Sequence, residues 1–373
     1  MKKERGEIME KKEVSMAELF FDLVFVYVLS TINQTVQHVS QSLVSFESLG
    51  KNLVLFLVFY SIWVYHTLLI NRFFEQKWYQ YVFLFTDMFL ILCLSKAINS
   101  NFQETFTPFA SITGCIYVSL MVQYFLNHML IRHRLSNRLI CVYLIGLGLT
   151  IIFFILGLVL PKNINFWFFL IGIIIAVSNP GVCWRASQQN PVFFSHLTER
   201  LSLFMIILFG EGIVQIVPTI KLSNFNVLDI VYFILIVSMF IIYSFHYKGS
   251  LDQEKTDDSG LITIYIHLFI IYATNIVFLI MHKALSANPL SNDEQIGYTL
   301  AFCLFLFGIF IDTILHRDID KGKKVYVGII LVATILGLVI TNIHIITIVE
   351  ISAILLLCGM YYGENKNILN KYL

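Results

Sequence analysis

The chain has 373 residues, 58% hydrophobic and only 13% charged, with a mean hydropathy of +0.78. A water-soluble fold of this length has nowhere to hide so much apolar surface, so a bilayer must act as its solvent. The net charge of +1 removes any electrostatic case for nucleic acid, and six scattered cysteines without a C-x-x-C spacing read as reduced, buried hydrophobes.

The first fifteen residues carry charges of both signs, with no short apolar region leading to a small-residue cleavage site. No cleaved signal peptide is therefore expected, and no C-terminal lipidation box is read. A span needs about 20 mostly apolar residues to cross about 30 Å of hydrocarbon. Its backbone must be satisfied internally, which makes it helical. Twelve segments meet this: 16–38, 52–71, 79–98, 107–131, 139–160, 164–179, 197–217, 227–247, 261–282, 295–316, 325–341 and 343–361. The sixth and the last two carry the weakest signals. Pro161-Lys162-Asn163 and Thr341-Asn342 make tight hairpin links, and the longest polar connection covers roughly 248–260.

Basic residues set the orientation. On the side of the N-terminus the tails and loops hold 19 Lys and Arg, against 5 on the other side, with Arg200 inside a span. The densest clusters are Arg132-His133-Arg134 with Arg138, and Arg317 with Lys321, Lys323 and Lys324. The positive-inside rule then places both termini in the cytoplasm.

Two helix openings match. Glu18-Leu19-Phe20-Phe21-Asp22 and Glu199-Arg200-Leu201-Ser202 each carry ionisable residues into an apolar span, 181 residues apart. Tyr60-Ser61-Ile62-Trp63-Val64-Tyr65-His66 resembles Ile242-Tyr243-Ser244-Phe245-His246, and Lys96-Ala97-Ile98 resembles Lys283-Ala284-Leu285. An even number of spans per repeat inserts both halves with the same orientation. The expected architecture is all-α and polytopic, with about twelve transmembrane helices in two parallel six-helix pseudo-repeats. Its parts are an N-terminal cytoplasmic tail (1–15), a first half (16–184), a cytoplasmic connector (185–196), a second half (197–361) and a cytoplasmic tail (362–373).

A charge in hydrocarbon costs roughly 2.5–3.5 kcal/mol on insertion scales, so intramembrane ionisable residues are the candidates for function. Glu18 and Asp22 are four apart and share a helix face with Ser30, Asn33 and Gln37. Two like charges so close favour a shared proton, a bound cation or an Arg partner. Arg200 lies at the same depth, and parallel halves bring it to Asp22 or Glu18. Glu18 and Glu199 also fit as helix-terminus caps. Glu211, between Gly210 and Gly212, has Gln215 one turn on. Flanking glycines admit either a close backbone approach or a broken helix. Asp87 and Glu350 near the middles of their spans fit either a relay or an interhelical hydrogen bond, and Asp312 reads as interfacial. His66 and His246 complete one layer with Glu18, Asp22, Glu199 and Arg200, and are the weaker candidates for a metal. Trp63, Trp78, Trp167 and Trp184 read as lipid-interface anchors. P-loop, H-E-x-x-H, G-x-S-x-G and kinase signatures are missing.

The string Glu18-Leu-Phe-Phe-Asp22-Leu-Val-Phe-Val, followed by Glu199-Arg200 and Phe209-Gly210-Glu211, resembles the bacterial low temperature requirement A (LtrA) family. The resemblance covers most of the chain and implies a polytopic helical membrane protein. It marks Glu18, Phe21, Asp22, Glu199, Arg200, Gly210 and Glu211, while Gly212 stands where a small polar residue is usual. The family name records a growth phenotype in the cold and implies no molecular activity.

The expected function is a secondary transporter or channel-like protein of the bacterial plasma membrane, coupled to protons or cations through these carboxylates. The alternatives are a membrane-embedded, metal-dependent lipid-modifying enzyme and a non-catalytic envelope-stress factor; the reading leans away from an enzyme. No cofactor is expected. The expected partners are the lipid bilayer, an unassigned small solute or ion, and a second copy of the chain.

Overall fold

The computed structural model describes residues 13–39, 46–73, 77–98, 102–130, 137–182, 184–220, 226–251, 259–285, 290–316 and 323–369. Among them every regular element is helical. They are α1 (Met16–Val39), α2 (Phe46–Phe73), α3 (Trp78–Lys96), α4 (Phe102–Leu130), α5 (Asn137–Val159), α6 (Asn165–Val182), α7 (Trp184–Gln188), α8 (Phe194–Ile216), α9 (Val227–Leu251), α10 (Leu261–Leu285), α11 (Asn292–His316), α12 (Lys323–Val339) and α13 (Ile343–Leu369). A 3₁₀ turn at Val217–Thr219 closes α8.

Eleven of these helices are long and apolar enough to cross a bilayer, and α12 is a shorter apolar helix of 17 residues. Each of the twelve segments read from hydropathy coincides with one helix. The extra helix, α7, sits in the connector. Helix α2 starts six residues before its apolar segment, because a helix leaving the hydrocarbon can carry polar residues in its first turns. The clusters Arg132-His133-Arg134 and Arg317 with Lys321 lie outside the described residues, as do 252–258 of the long polar connection and the side chain of Gln37.

Exposure is inverted relative to a soluble protein. Asp22 and Arg200 are 0% exposed, whereas Phe89 is 65% and Leu355 58% exposed. An apolar rim around a polar seam is stable only if lipid wets the rim. This is a polytopic membrane protein.

The order of neighbours recurs along the chain. Helix α1 packs on α2 and α3, α2 on α4 and α6, α3 on α4, α4 on α5, and α5 on α6. In the same way α8 packs on α9 and α10, α9 on α11 and α13, α10 on α11, α11 on α12, and α12 on α13. The two sets meet through α1 on α8, α2 on α8 and α2 on α10.

Polar bonds also lace this seam. Asn33 and Asn275 exchange amide hydrogen bonds of 2.8 and 2.9 Å, and Tyr60 donates to the Ile264 carbonyl at 2.6 Å. Pro180 has no N–H, so the Ala176 carbonyl loses its helical partner. The Tyr65 hydroxyl donates to that carbonyl at 3.1 Å. Tyr265 from α10 bridges the next gap, donating to the Val177 carbonyl at 2.7 Å and accepting from the Gly181 N–H at 3.1 Å.

Candidate functional site

The seam between α1, α2 and α8 holds the densest buried charge. Arg200 Nη2 donates to Asp22 Oδ1 at 2.5 Å and Nε to Oδ2 at 3.4 Å. Trp63 of α2 donates its indole N–H to the same Oδ1 at 2.8 Å, and the guanidinium carbon lies 5.4 Å from the Trp63 ring centroid. One carboxylate thus meets a fork of charge-assisted donors and an aromatic face. Glu18 stands one turn away, its Oε2 3.8 Å from Arg200 Nε and 2.9 Å from His196 Nε2. Ser15 donates its hydroxyl to Glu18 Oε1 at 2.9 Å, and the Ser15 backbone N–H reaches the same oxygen at 3.2 Å.

The network assigns the His196 tautomer. The Phe193 N–H donates to Asn71 Oδ1 at 2.9 Å, which fixes the amide, so Nδ2 faces the Phe193 carbonyl at 3.0 Å and His196 Nδ1 at 3.1 Å. An amide nitrogen cannot accept, so His196 Nδ1 accepts and the ring proton sits on Nε2, beside Glu18. Two carboxylates therefore face one guanidinium, with the imidazole proton turned toward the second acid. Arg200 Nη1 has no hydrogen-bond partner among the described residues. The cluster is buried but not saturated.

The remaining residues do not join this cluster. His66, expected in one layer with Glu18 and Asp22, instead has its Nε2 2.9 Å from Asp87 Oδ2 on α3. Gln123 of α4 donates to the same oxygen at 2.6 Å, and Phe21 packs its ring 4.5 Å from the imidazole. His246 pairs with Asp312 at 2.7 Å. Asp312 is thus buried rather than interfacial, because α9 and α11 run parallel and bring their C-terminal ends together. The expected single layer is three separate histidine–carboxylate pairs.

Trp63 corrects another expectation. A tryptophan near a span end reads as a lipid anchor, yet Trp63 is wholly buried against Asp22; Trp78 and Trp167 are exposed. Glu199 is half-buried, and its carbonyl accepts from Ser202 at 2.7 Å.

Glu211 is half-buried and accepts from Gln215 at 3.3 Å, while the Gln215 carbonyl faces His282 Nδ1 at 2.8 Å. Eleven residues at about 1.5 Å each separate it from Arg200 by roughly 16 Å along the helix. Neither expected role for its glycines is found. Helix α8 runs unbroken through Gly210 to Ile216. A Cβ at Gly210 would meet nothing within 4 Å, and one at Gly212 would strike the Phe278 ring at 2.6 Å, a side chain rather than a backbone. Glu350 is buried, and neither of its oxygens has a hydrogen-bond partner among the described residues.

His196, Asn71 and Trp63 are the residues that sequence reasoning missed. A usable signal was His196 itself, one turn before Arg200 on the same helix face.

Helices enclosing a buried polar seam define a polytopic membrane protein of a particular kind, and similarity names it. Residues 13–360 match the family described as Bacterial low temperature requirement A protein (LtrA). The chain belongs to that family. No curated protein and no solved structure is similar enough to be matched.

Proposed function

We propose that the protein is a secondary transporter or channel-like protein of the bacterial plasma membrane, coupled to protons or small cations at the seam between two duplicated halves. The halves insert with the same orientation, which the recurring order of helix neighbours supports, and both termini are cytoplasmic, which the distribution of Lys and Arg supports. The observation that carries the reading is the Asp22–Arg200 pair, which joins the first helix of each half while Glu18 brings a second carboxylate to the same guanidinium. A proton or cation arriving at Glu18 or Asp22 competes with Arg200, so uptake loosens the contact between the halves and release restores it. The two small cavities that adjoin His66 and His246 are each about 10 Å³, close to one water in scale. That size favours a proton or bare cation over an organic solute at those points.

The test compares inverted membrane vesicles from cells that lack or express the protein, loaded with dyes sensitive to H⁺, Na⁺ or K⁺. The proposal expects a flux that depends on the protein and falls at least tenfold in Asp22→Asn. Equal fluxes of all three ions with and without the protein would overturn it.

A further inference from the structure

His246 of α9, His267 of α10 and Asp312 of α11 lie together in a group that shares no residue with the Asp22–Arg200 cluster. One ligand atom from each falls within 4.8 Å of the others, and all three side chains are buried. We propose that they form a binding site for a single divalent transition-metal cation of the zinc class.

Hydrogen bonds set both imidazoles for this role. His267 Nδ1 lies 2.9 Å from the Thr263 carbonyl, which can only accept, so the proton is on Nδ1 and Nε2 keeps its lone pair. Tyr243 is the donor to that Nε2, at a long 3.3 Å. Thr313 spends its one hydroxyl proton on the Ile309 carbonyl at 2.7 Å, so it must accept from His246 Nδ1 at 2.9 Å. His246 Nε2 therefore also carries a lone pair, and it faces Asp312 Oδ2 at 2.7 Å. Two electron-rich atoms at that distance need a cation between them. Without metal it is a proton; with metal the proton leaves.

A backbone carbonyl and a threonine hydroxyl acting on the far nitrogens are the usual outer partners of metal-binding histidines. Two imidazoles and one carboxylate suit zinc, cobalt, manganese or iron over sodium, potassium or magnesium. The adjoining cavity, lined also by Tyr243, Thr263 and Thr198, leaves room for a water as a fourth ligand. Bonds of about 2.0 Å in a tetrahedron set ligand atoms about 3.3 Å apart, so loading parts His246 from Asp312, now 2.7 Å apart, by about 0.6 Å and draws in the wider spacings, which reach up to 4.8 Å, by up to about 1.5 Å. The corresponding helices of the first half, α2, α3 and α4, line the other cavity with His66, Gln80 and Asn127. There His66 pairs with the Asp87 carboxylate, but amides stand where a second imidazole would be needed, so the two-histidine site is expected once per chain. It stands whether or not the Asp22–Arg200 seam carries ions.

Full-length protein in detergent is stripped with chelator and titrated with Zn²⁺ and Co²⁺ by calorimetry and visible absorption, with metal counted by mass spectrometry. The expected result is one metal per chain, release of about one proton on loading, and a tetrahedral Co²⁺ spectrum. Asp312→Asn and His267→Gln should weaken binding by about 100-fold, and His66→Gln should leave one metal per chain. Absence of stoichiometric metal in the wild type overturns the site, as does unchanged affinity in Asp312→Asn or loss of metal in a folded His66→Gln. If the ligand variants fail to fold, X-ray absorption of the wild-type Co²⁺ form decides: two imidazoles support the site, and none overturns it.

Discussion

Asp22 and Arg200 form a fully buried two-pronged pair, with contacts of 2.5 and 3.4 Å, between α1 and α8. Removing one member strands the other charge, at a cost of roughly 3–5 kcal/mol for a desolvated pair. Asp22→Ala and Arg200→Ala should each lower thermal stability in detergent. The double variant should lose less than the sum, with a coupling of about 0.5–3 kcal/mol. Additive losses would show that the two residues act independently.

Trp63→Phe tests one donor. It keeps an aromatic ring in place but removes the indole N–H, 2.8 Å from Asp22, together with part of the buried ring volume, which adds a cavity cost. A hydrogen bond to a charged group contributes about 1.5–3 kcal/mol, and the variant should lose at least that much stability. Unchanged melting would mean that Arg200 alone satisfies Asp22.

Asn71→Leu removes three bonds at once: those to the Phe193 N–H, the Phe193 carbonyl and His196 Nδ1. Each buried group left unpaired costs about 1–3 kcal/mol. Hydrogen exchange at the start of α8 should accelerate well ahead of exchange at α5 and α6. Equal protection in both regions would show that Asn71 does not hold α8 in place.

The span limits were legible because hydrocarbon thickness fixes helix length, and the ends of α9 and α10 show it to within a few residues. The Asp22–Arg200 contact was legible from equal depth in two matching openings. The partners of His66 and His246 were not, because which helix faces which depends on packing that no single helix encodes. His66 of α2 reaches Asp87 on α3, whereas His246 of α9 reaches Asp312 on α11. Trp63 was misread for a related reason: depth alone cannot tell the lipid side of a helix from the seam side.

The two glycines beside Glu211 should behave oppositely. Gly212→Ala drives a methyl into the Phe278 ring, where a Cβ would sit at 2.6 Å, and overpacking of this kind costs about 1–3 kcal/mol. Gly210→Ala meets open space, and alanine in place of helical glycine stabilises by up to about 1 kcal/mol. Melting curves of the two variants should fall on either side of the wild type. A stable Gly212→Ala protein would mean that Phe278 moves aside freely.

The central claim is that Glu18 and Asp22, two carboxylates sharing one guanidinium, take up a small cation during the cycle. Purified protein in proteoliposomes on a solid-supported membrane, given rapid jumps of H⁺, Na⁺ or K⁺, reads that uptake directly as displaced charge. The account predicts a transient current for at least one of these ions in the wild type, abolished in a folded Glu18→Gln, Asp22→Asn double variant. No current for any of the three, or an undiminished current in the double variant, would contradict it.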